Sequence, residues 1–253
     1  MASFLMIHGA WHGGWCFDRL RAPLEAAGHV MIAPDLPGIG GDAPALAAVS
    51  LQSWADFIVK QSGKLTGPVI LCGHSRGGIV MSQAAEQAPD AFAGLVYISG
   101  ALIPDRRSLY DVIGAAMARD AFGAALSPVA EGLGLRFSPE AAATFFYNRC
   151  APEDQKAYAA RLVVEPVRPL GTPLRLHAER FGRVARHYVE CAHDNTFPLD
   201  VQRAMQAALP CESVTALESD HSPFIGMPDR LAGVLIKIAG AVEKGGTRER
   251  NEP

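Results

Sequence analysis

Residues 69–78 read VILCGHSRGG, and this segment decides the fold of the 253-residue chain. The four apolar residues at its start predict a buried strand, and the apolar run after it, which ends before Pro89, predicts a helix. Between them stands a Gly-x-Ser-x-Gly motif, whose Gly73 and Gly77 let strand and helix pass closely. This context predicts a nucleophile elbow with Ser75 at its apex. The alternative is an ordinary strand-to-helix turn that a serine opens.

The composition limits the classes of protein to which the chain can belong. With 49% apolar and 19% charged residues, 253 residues suit one large α/β domain. The formal charge of −3 and the scattered Lys and Arg residues argue against a nucleic-acid partner. No apolar run reaches the roughly 18 residues of a membrane span, so no membrane partner is expected. The N-terminal residues lack the basic region of a cleaved signal.

Cysteine usage bears on the compartment and on metal binding. The five cysteines are scattered, and none belongs to a C-x-x-C motif. This pattern argues against structural zinc and favours a reducing, cytoplasmic setting.

Apolar strands alternate with helices on both sides of the elbow. Such an alternation predicts a mostly parallel, doubly wound sheet with helices on both faces, the α/β class. The predicted strands are residues 4–7, 29–33, 69–72, 94–99, 187–191 and 214–217, and the other helices are residues 16–27, 53–62, 199–208 and 230–242.

The alternation stops between residues 104 and 173, which we name the lid segment. Its apolar stretches have helical spacing at residues 112–117, 141–146 and 154–163, and none is a convincing strand. A block of this length between two sheet strands predicts an inserted helical lid. We therefore expect a single domain, with a core of residues 1–103 and 174–243 and a frayed polar tail of residues 244–253.

A serine hydroxyl becomes a useful nucleophile only beside a base. In an open α/β sheet, such partners lie in loops beyond the carboxyl ends of the strands. The loop after the last predicted strand contains His221, and the loop after the strand before it contains Asp194. The chain order Ser75, Asp194, His221 is typical of a catalytic triad on this kind of fold.

Three other aspartates compete for the role of the acid. Asp105 follows the predicted strand at residues 94–99, Asp200 stands at a helix start, and Asp220 adjoins His221. Asp200 has the position of a helix cap, and the side chain of Asp220 is expected to point away from its neighbour. Asp194 is therefore preferred, with Asp105 as the main alternative.

A tetrahedral oxyanion needs two N–H donors from the backbone. The residue after the nucleophile, Arg76, supplies one, and Ala10 in the loop after the first strand is expected to supply the other. The alternative for this loop is a simple turn. If the Arg76 guanidinium is buried, it needs a carboxylate or carbonyl partner.

Several motifs then identify a family resemblance. The two distinctive segments are HGAWHGGWC at residues 8–16 and FYNRCAPED at residues 146–154. The elbow, YVECAHD at residues 188–194 and DHSPF at residues 220–224 also carry the resemblance. With them the chain resembles the α/β-hydrolase superfamily. More narrowly, it looks like the plant methylesterase and hydroxynitrile lyase family and its bacterial carboxylesterase relatives, including pyrethroid-hydrolysing esterases.

The resemblance assigns the family's catalytic roles to individual residues of this chain. It places the nucleophile on Ser75, the acid on Asp194, the base on His221, and the oxyanion donors on Ala10 and Arg76. It implies a serine carboxylesterase that forms an acyl-enzyme and needs no cofactor or metal. Its partner is a small-molecule ester, and because relatives are often dimers, a homodimer is an open expectation. The apolar lid segment predicts hydrophobic or aromatic esters.

Other activities stay open at this point. The lyases of the family carry a threonine where Gly9 stands and a lysine where Ser222 follows the histidine, so their groups for handling cyanide are missing here. The alternatives are a hydroxynitrile lyase, a lactone or C–C hydrolase of the same fold, and a ligand receptor with slow turnover.

Overall fold

The computed structural model of the chain describes residues 1–117 and 120–248. Its first part alternates strands and helices. A short 3-10 turn, Gly14–Phe17, precedes the first helix. The elements of this part are β1 Ser3–Ile7, α1 Asp18–Ala26, β2 Val30–Ile32, α2 Ala43–Ala48, α3 Leu51–Ser62, β3 Val69–His74, α4 Gly77–Gln87 and β4 Gly94–Ile98.

The segment between β4 and the next core strand contains both helices and strands. Its elements are α5 Leu109–Met117, α6 Asp120–Ala124, β5 Leu126–Val129, β6 Gly134–Phe137, α7 Pro139–Phe145, α8 Pro152–Ala159 and β7 Glu165–Pro166. The three strands form a small antiparallel sheet in the order β5-β6-β7. The expectation that this segment lacks strands is therefore wrong. Strand β5 contains Pro128 and β7 has two residues, so neither has the length and alternation that predict a strand.

The core then resumes and ends in a long helix. Its elements are β8 Arg186–Cys191, α9 Leu199–Ala208, β9 Ser213–Leu217, α10 Pro223–Gly226 and α11 Pro228–Arg248. Helix α11 thus continues into the predicted frayed tail, as far as Arg248, and residues 249–253 of that tail lie outside the described residues. None of the helices that the structure describes has the length and apolar character to cross a membrane.

Six parallel strands form the central sheet in the order β2-β1-β3-β4-β8-β9. Strand β1 shows how its two faces are covered, because side chains alternate between the faces of a strand. Phe4 and Met6 belong to one hydrophobic cluster, whereas Leu5 and Ile7 belong to the other. The predicted α/β architecture is confirmed, and its central strand β3 carries the elbow.

Candidate active site

The elbow connects β3 to α4 in a turn that only glycines can flank. A Cβ atom on Gly73 would lie 2.9 Å from the carbonyl carbon of Gly77, and one on Gly77 would lie 2.5 Å from the Ile7 oxygen. Ser75 at the apex has φ 49°, in the left-handed region that side chains rarely adopt. The Ser75 carbonyl accepts hydrogen bonds from the N–H groups of Gly78 (3.0 Å) and Ala101 (2.8 Å), which hold this backbone in place.

Asp194 and His221 come together at the carboxyl end of the sheet. The His221 Nδ1 atom lies 2.6 Å from Asp194 Oδ2, and both side chains are buried. The Ser99 hydroxyl also donates to Oδ2, at 2.5 Å. The N–H groups of Thr196 (2.7 Å) and Phe197 (2.8 Å) donate to Oδ1. Four donors therefore fix this carboxylate in an orientation that faces the imidazole.

Ser99 was not among the predicted site residues. It follows β4 directly and has φ 38°, so its hydroxyl turns toward the loop that follows β8. The signal that could have found it is its position at the carboxyl end of a strand next to the elbow strand, where site residues of open α/β sheets collect.

The other candidate acids lie elsewhere, and none contacts the imidazole. Asp105 accepts the Leu176 N–H (2.9 Å), and Asp220 accepts the Arg149 N–H (2.8 Å) of the lid segment. Asp220 does point away from the neighbouring ring, as expected. Asp200 lies in the first turn of α9, but the N-cap of that helix is residue 198, and no side chain caps it. The expectation that Asp200 caps the helix is wrong.

Ser75 and His221 stand in neighbouring loops. His74, next to Ser75, has its Nε2 atom 2.8 Å from the His221 carbonyl oxygen, and the two imidazole rings lie 4.6 Å apart. Among the hydrogen bonds of the described residues, none joins the Ser75 hydroxyl to the His221 ring. The elbow and the histidine loop are therefore joined through His74.

The loop after β1 packs against Ser75. A Cβ atom on Gly9 would lie 3.0 Å from Ser75 Cβ and 2.8 Å from His74 Nδ1, so the backbone here approaches the elbow closely. In the described part of the chain, no hydrogen bond uses the N–H of Ala10 or of Arg76. The elbow and the loop beside it thus each present an N–H group without an acceptor among the described residues, and an oxyanion requires such donors.

The Arg76 side chain is buried and has both a carboxylate and a carbonyl partner, the two kinds predicted for a buried guanidinium. Its Nε lies 2.8 Å from Glu165 Oε1 of β7, and its Nη2 donates to the Gly9 oxygen at 3.0 Å. The guanidinium also lies 4.6 Å over the ring of Trp54. Burial lowers the pKa of Arg76 and raises the pKa of Glu165, and their mutual attraction opposes both shifts. Glu165, in the lid segment, was not predicted to belong to the site.

Three histidines are buried around the loop after β1: His8 and His12 within it and His74 beside it. His12 has Nδ1 2.7 Å from the Ala10 oxygen and Nε2 2.8 Å from the hydroxyl of Tyr147. Burial lowers the pKa of His12 to about 4 and holds the pKa values of His8 and His74 well below the ordinary range. These imidazoles are therefore neutral at pH 7 and act as hydrogen-bonding groups.

Aromatic rings from the lid segment form a wall beside the imidazole. Phe146 lies 5.9 Å from the His221 ring and 4.5 Å from Phe137, measured between ring centroids. Phe122 and Trp11 extend the same cluster, at 5.1 Å each from Phe137. The surface beside the candidate site is therefore apolar and rich in aromatic rings.

Comparison with known proteins gives three kinds of match. A model of the alpha/beta hydrolase family matches residues 4–234. The chain is 30% identical to Methylesterase 7 of Arabidopsis thaliana, over 94% of the chain and 96% of that protein. It is 31% identical to the pyrethroid hydrolase of Sphingobium wenxiniae, over 95% of the chain and 89% of that protein. The crystal structure of a pyrethroid hydrolase from Sphingobium faniae, 29% identical, superposes with a TM-score of 0.82 over 95% of this chain and 98% of the other.

Proposed function

The chain belongs to the alpha/beta hydrolase family and is a carboxylic-ester hydrolase, and from this we propose that it hydrolyses small hydrophobic or aromatic esters through Ser75, His221 and Asp194. The observation that supports this triad best is the 2.6 Å contact between His221 Nδ1 and Asp194 Oδ2, beside a serine in an elbow conformation. Asp194 is the only one of the four candidate aspartates that touches the imidazole.

The carboxylate decides which nitrogen of the base is free. Because Asp194 accepts the proton on Nδ1 of His221, the lone pair is left on Nε2. In the reaction, Nε2 takes the proton of the Ser75 hydroxyl as its oxygen attacks the ester carbonyl. This transfer requires that the hydrogen bond between the Ser75 hydroxyl and the imidazole forms when substrate binds, as catalytic hydrogen bonds often do. Asp194 then stabilises the imidazolium without taking its proton.

The carbonyl oxygen gains negative charge during the attack. The N–H groups of Ala10 and Arg76, which have no acceptor among the described residues, bind this oxyanion. His221 then protonates the departing alkoxide, and an acyl-enzyme remains on Ser75. A water molecule, deprotonated by the same imidazole, hydrolyses it and restores the serine. Each of these steps uses only protein groups and water.

The aromatic wall supports an apolar acyl or alcohol group in the substrate. Phe146 contacts the ring of His221 itself, so a substrate positioned for attack lies against the aromatic side chains of the lid segment. Burial of apolar substrate surface there contributes roughly 25 cal/mol per Å². The names of the relatives, a methylesterase and a pyrethroid hydrolase, support a small-molecule ester as the substrate. A homodimer and a cytoplasmic location stay predictions.

The test is ester hydrolysis by the wild type and by Ser75→Ala, with aryl, methyl and bulky hydrophobic esters matched in leaving-group pKa. We expect the variant to lose activity by a factor on the order of 10³ or more, because the members of a triad act as a unit. Ser82→Ala is the matched control, since Ser82 is a buried serine farther along α4 that bonds to Tyr97. Equal activity in Ser75→Ala and wild type would refute the assignment. One equivalent of alcohol followed by almost no turnover would instead indicate a ligand receptor.

A further inference from the structure

The peptide unit between Gly9 and Ala10 carries one of the two oxyanion donors. Its carbonyl oxygen accepts a hydrogen bond from Arg76 Nη2 at 3.0 Å and lies 2.9 Å from His8 Nδ1. The described residues contain no cis peptide bond, and in a planar trans peptide the C=O and N–H bonds point in opposite directions. A group that fixes the Gly9 oxygen therefore also fixes the direction of the Ala10 N–H.

Glu165 holds both the guanidinium and the next peptide unit. One carboxylate oxygen lies 2.8 Å from Arg76 Nε, and the other accepts the Trp11 N–H at 3.2 Å. Glu165 is fully buried in β7, whose partner in the small antiparallel sheet is β6. Glu165 therefore joins the lid segment to the loop after β1, alongside the contact between His12 and Tyr147 and the hydrogen bond from the Val163 N–H to the Trp11 oxygen.

Stability gives little reason for an ion pair at this place. Both side chains are removed from water, at 1% and 0% exposure, and removing two charges from water costs about as much as their attraction returns. Replacement of such a buried ion pair by apolar residues of similar size is often neutral or stabilising. The pair does, however, place a charged donor on the Gly9 oxygen, and a charged donor polarises the peptide and strengthens its N–H as a donor.

From these contacts we propose that the side chain of Arg76, oriented by Glu165, is a positioning residue that directs and polarises the Ala10 N–H toward the oxyanion. Arg76 then acts twice, through its own backbone N–H and through the peptide that its guanidinium holds. The inference rests on the proposed function, because it assumes attack by Ser75 and an oxyanion between Ala10 and Arg76.

The main test variant removes the guanidinium without stranding a buried charge. Arg76→Met/Glu165→Gln takes away both charges and keeps the backbone N–H at position 76. We expect kcat to fall roughly 10- to 100-fold with KM within about 3-fold, somewhat less than the loss for a deleted oxyanion donor. Glu165→Gln alone keeps the guanidinium and an amide oxygen as its acceptor, so we expect a smaller loss of about 2- to 10-fold.

A second measurement separates positioning from a merely structural role. An aryl trifluoromethyl ketone forms a bond from its carbonyl carbon to Ser75 Oγ, the carbonyl electron pair moves to oxygen, and the serine proton moves to His221. We expect the affinity for this tetrahedral adduct to fall by the same factor as kcat/KM, whereas the affinity for the product carboxylate stays unchanged. Glu86→Gln is the control, because Glu86 is another buried carboxylate with cationic partners, outside the site.

Each outcome decides the matter. A folded Arg76→Met/Glu165→Gln variant with wild-type kcat and wild-type affinity for the ketone would overturn the inference and leave the proposed triad intact. If the wild type itself forms no adduct and hydrolyses no ester, the proposed function fails, and the inference fails with it. If the double variant does not fold, the same two measurements on Arg76→Lys decide, since lysine keeps the charge but carries its three donors on one nitrogen, which does not span Glu165 and Gly9 as the guanidinium fork does.

Discussion

His12 makes the stability of this protein depend on pH in a way that can be worked out. The side chain is buried and bonds to the Ala10 oxygen and the Tyr147 hydroxyl, and burial lowers its pKa from 6.5 to about 4. The fold therefore favours the neutral imidazole, while the unfolded chain takes up a proton near pH 6.5. This contribution is complete above pH 6.5 and is lost as the pH falls through the range down to about 4.

The magnitude follows from the two pKa values. Between pH 7.5 and pH 5, proton uptake by the unfolded chain removes about 2 kcal/mol of unfolding free energy through this one residue, and the total loss reaches about 3 kcal/mol at still lower pH. The assay is urea denaturation of wild type and His12→Asn at both pH values. Asparagine keeps a donor for the Ala10 oxygen but cannot titrate, so we expect the loss on acidification to be about 2 kcal/mol smaller in the variant.

A control with the opposite sign strengthens this test. Hydrogen bonding to Glu86 raises the pKa of the exposed His177, so His177 contributes stability that is present below pH 6.5 and lost as the pH rises through its folded pKa. His177→Asn should therefore lose more stability than wild type on acidification. Parallel pH profiles for wild type and His12→Asn would refute the reasoning about His12. His8 and His74 act in the same direction as His12 but are present in both proteins, so they cancel in this comparison.

Three further predictions concern the reaction. Asp194→Asn should lower kcat by a factor on the order of 10² to 10⁴ in steady-state assays, because the imidazole loses its acceptor. Asp105→Asn should lower kcat little, and a reversed result would assign the acid to the loop after β4. Gly9→Ala should lower kcat roughly 10- to 100-fold by displacing the elbow. Gly233→Ala, whose added Cβ would meet no atom within 4 Å, should leave kcat unchanged. Equal kcat values for the two variants would show that the loop after β1 shifts to accommodate the methyl group without displacing the elbow. Finally, mandelonitrile cleavage, corrected for spontaneous decay, should be far slower than aryl ester hydrolysis; equal or faster cleavage would indicate a lyase.

Much of the core and the placing of the triad candidates could be predicted from sequence, because the signals there are local. An apolar strand, a Gly-x-Ser-x-Gly turn and an apolar helix gave the elbow, which lies at residues 73–77 as expected. The rule that the partners of such a serine lie in loops after the carboxyl ends of strands then predicted Asp194 and His221 as neighbours, and the structure has their side chains in contact. Helix α2 was missed, since Ala43–Ala48 is only six residues long and follows a turn rich in glycine.

The other parts of the site depend on contacts between distant segments. Glu165 lies 89 residues from Arg76 in the sequence and Ser99 lies 95 residues from Asp194. A short two-residue strand carries Glu165, and no periodicity marks such a strand. A buried Arg76 needs a carboxylate or carbonyl partner wherever it lies, but only the packing of β7 against the loop after β1 selects which carboxylate it is.

The close approach at Gly9 connects the choice of reaction to the geometry of the elbow. A residue with a Cβ at this position would meet His74 at 2.8 Å and Ser75 at 3.0 Å, both shorter than ordinary van der Waals contact. A threonine, which the resembling lyases carry there, does not fit this arrangement unless the nucleophile moves. Ser222, directly after His221, is neutral, so an anionic leaving group such as cyanide would lack the cation that a lysine supplies at this position, in a site with little water. In the proposed mechanism an ester needs neither group, because backbone N–H donors bind its oxyanion and His221 protonates its alkoxide. The neighbours of the triad, rather than the triad itself, thus favour ester hydrolysis over cyanohydrin cleavage.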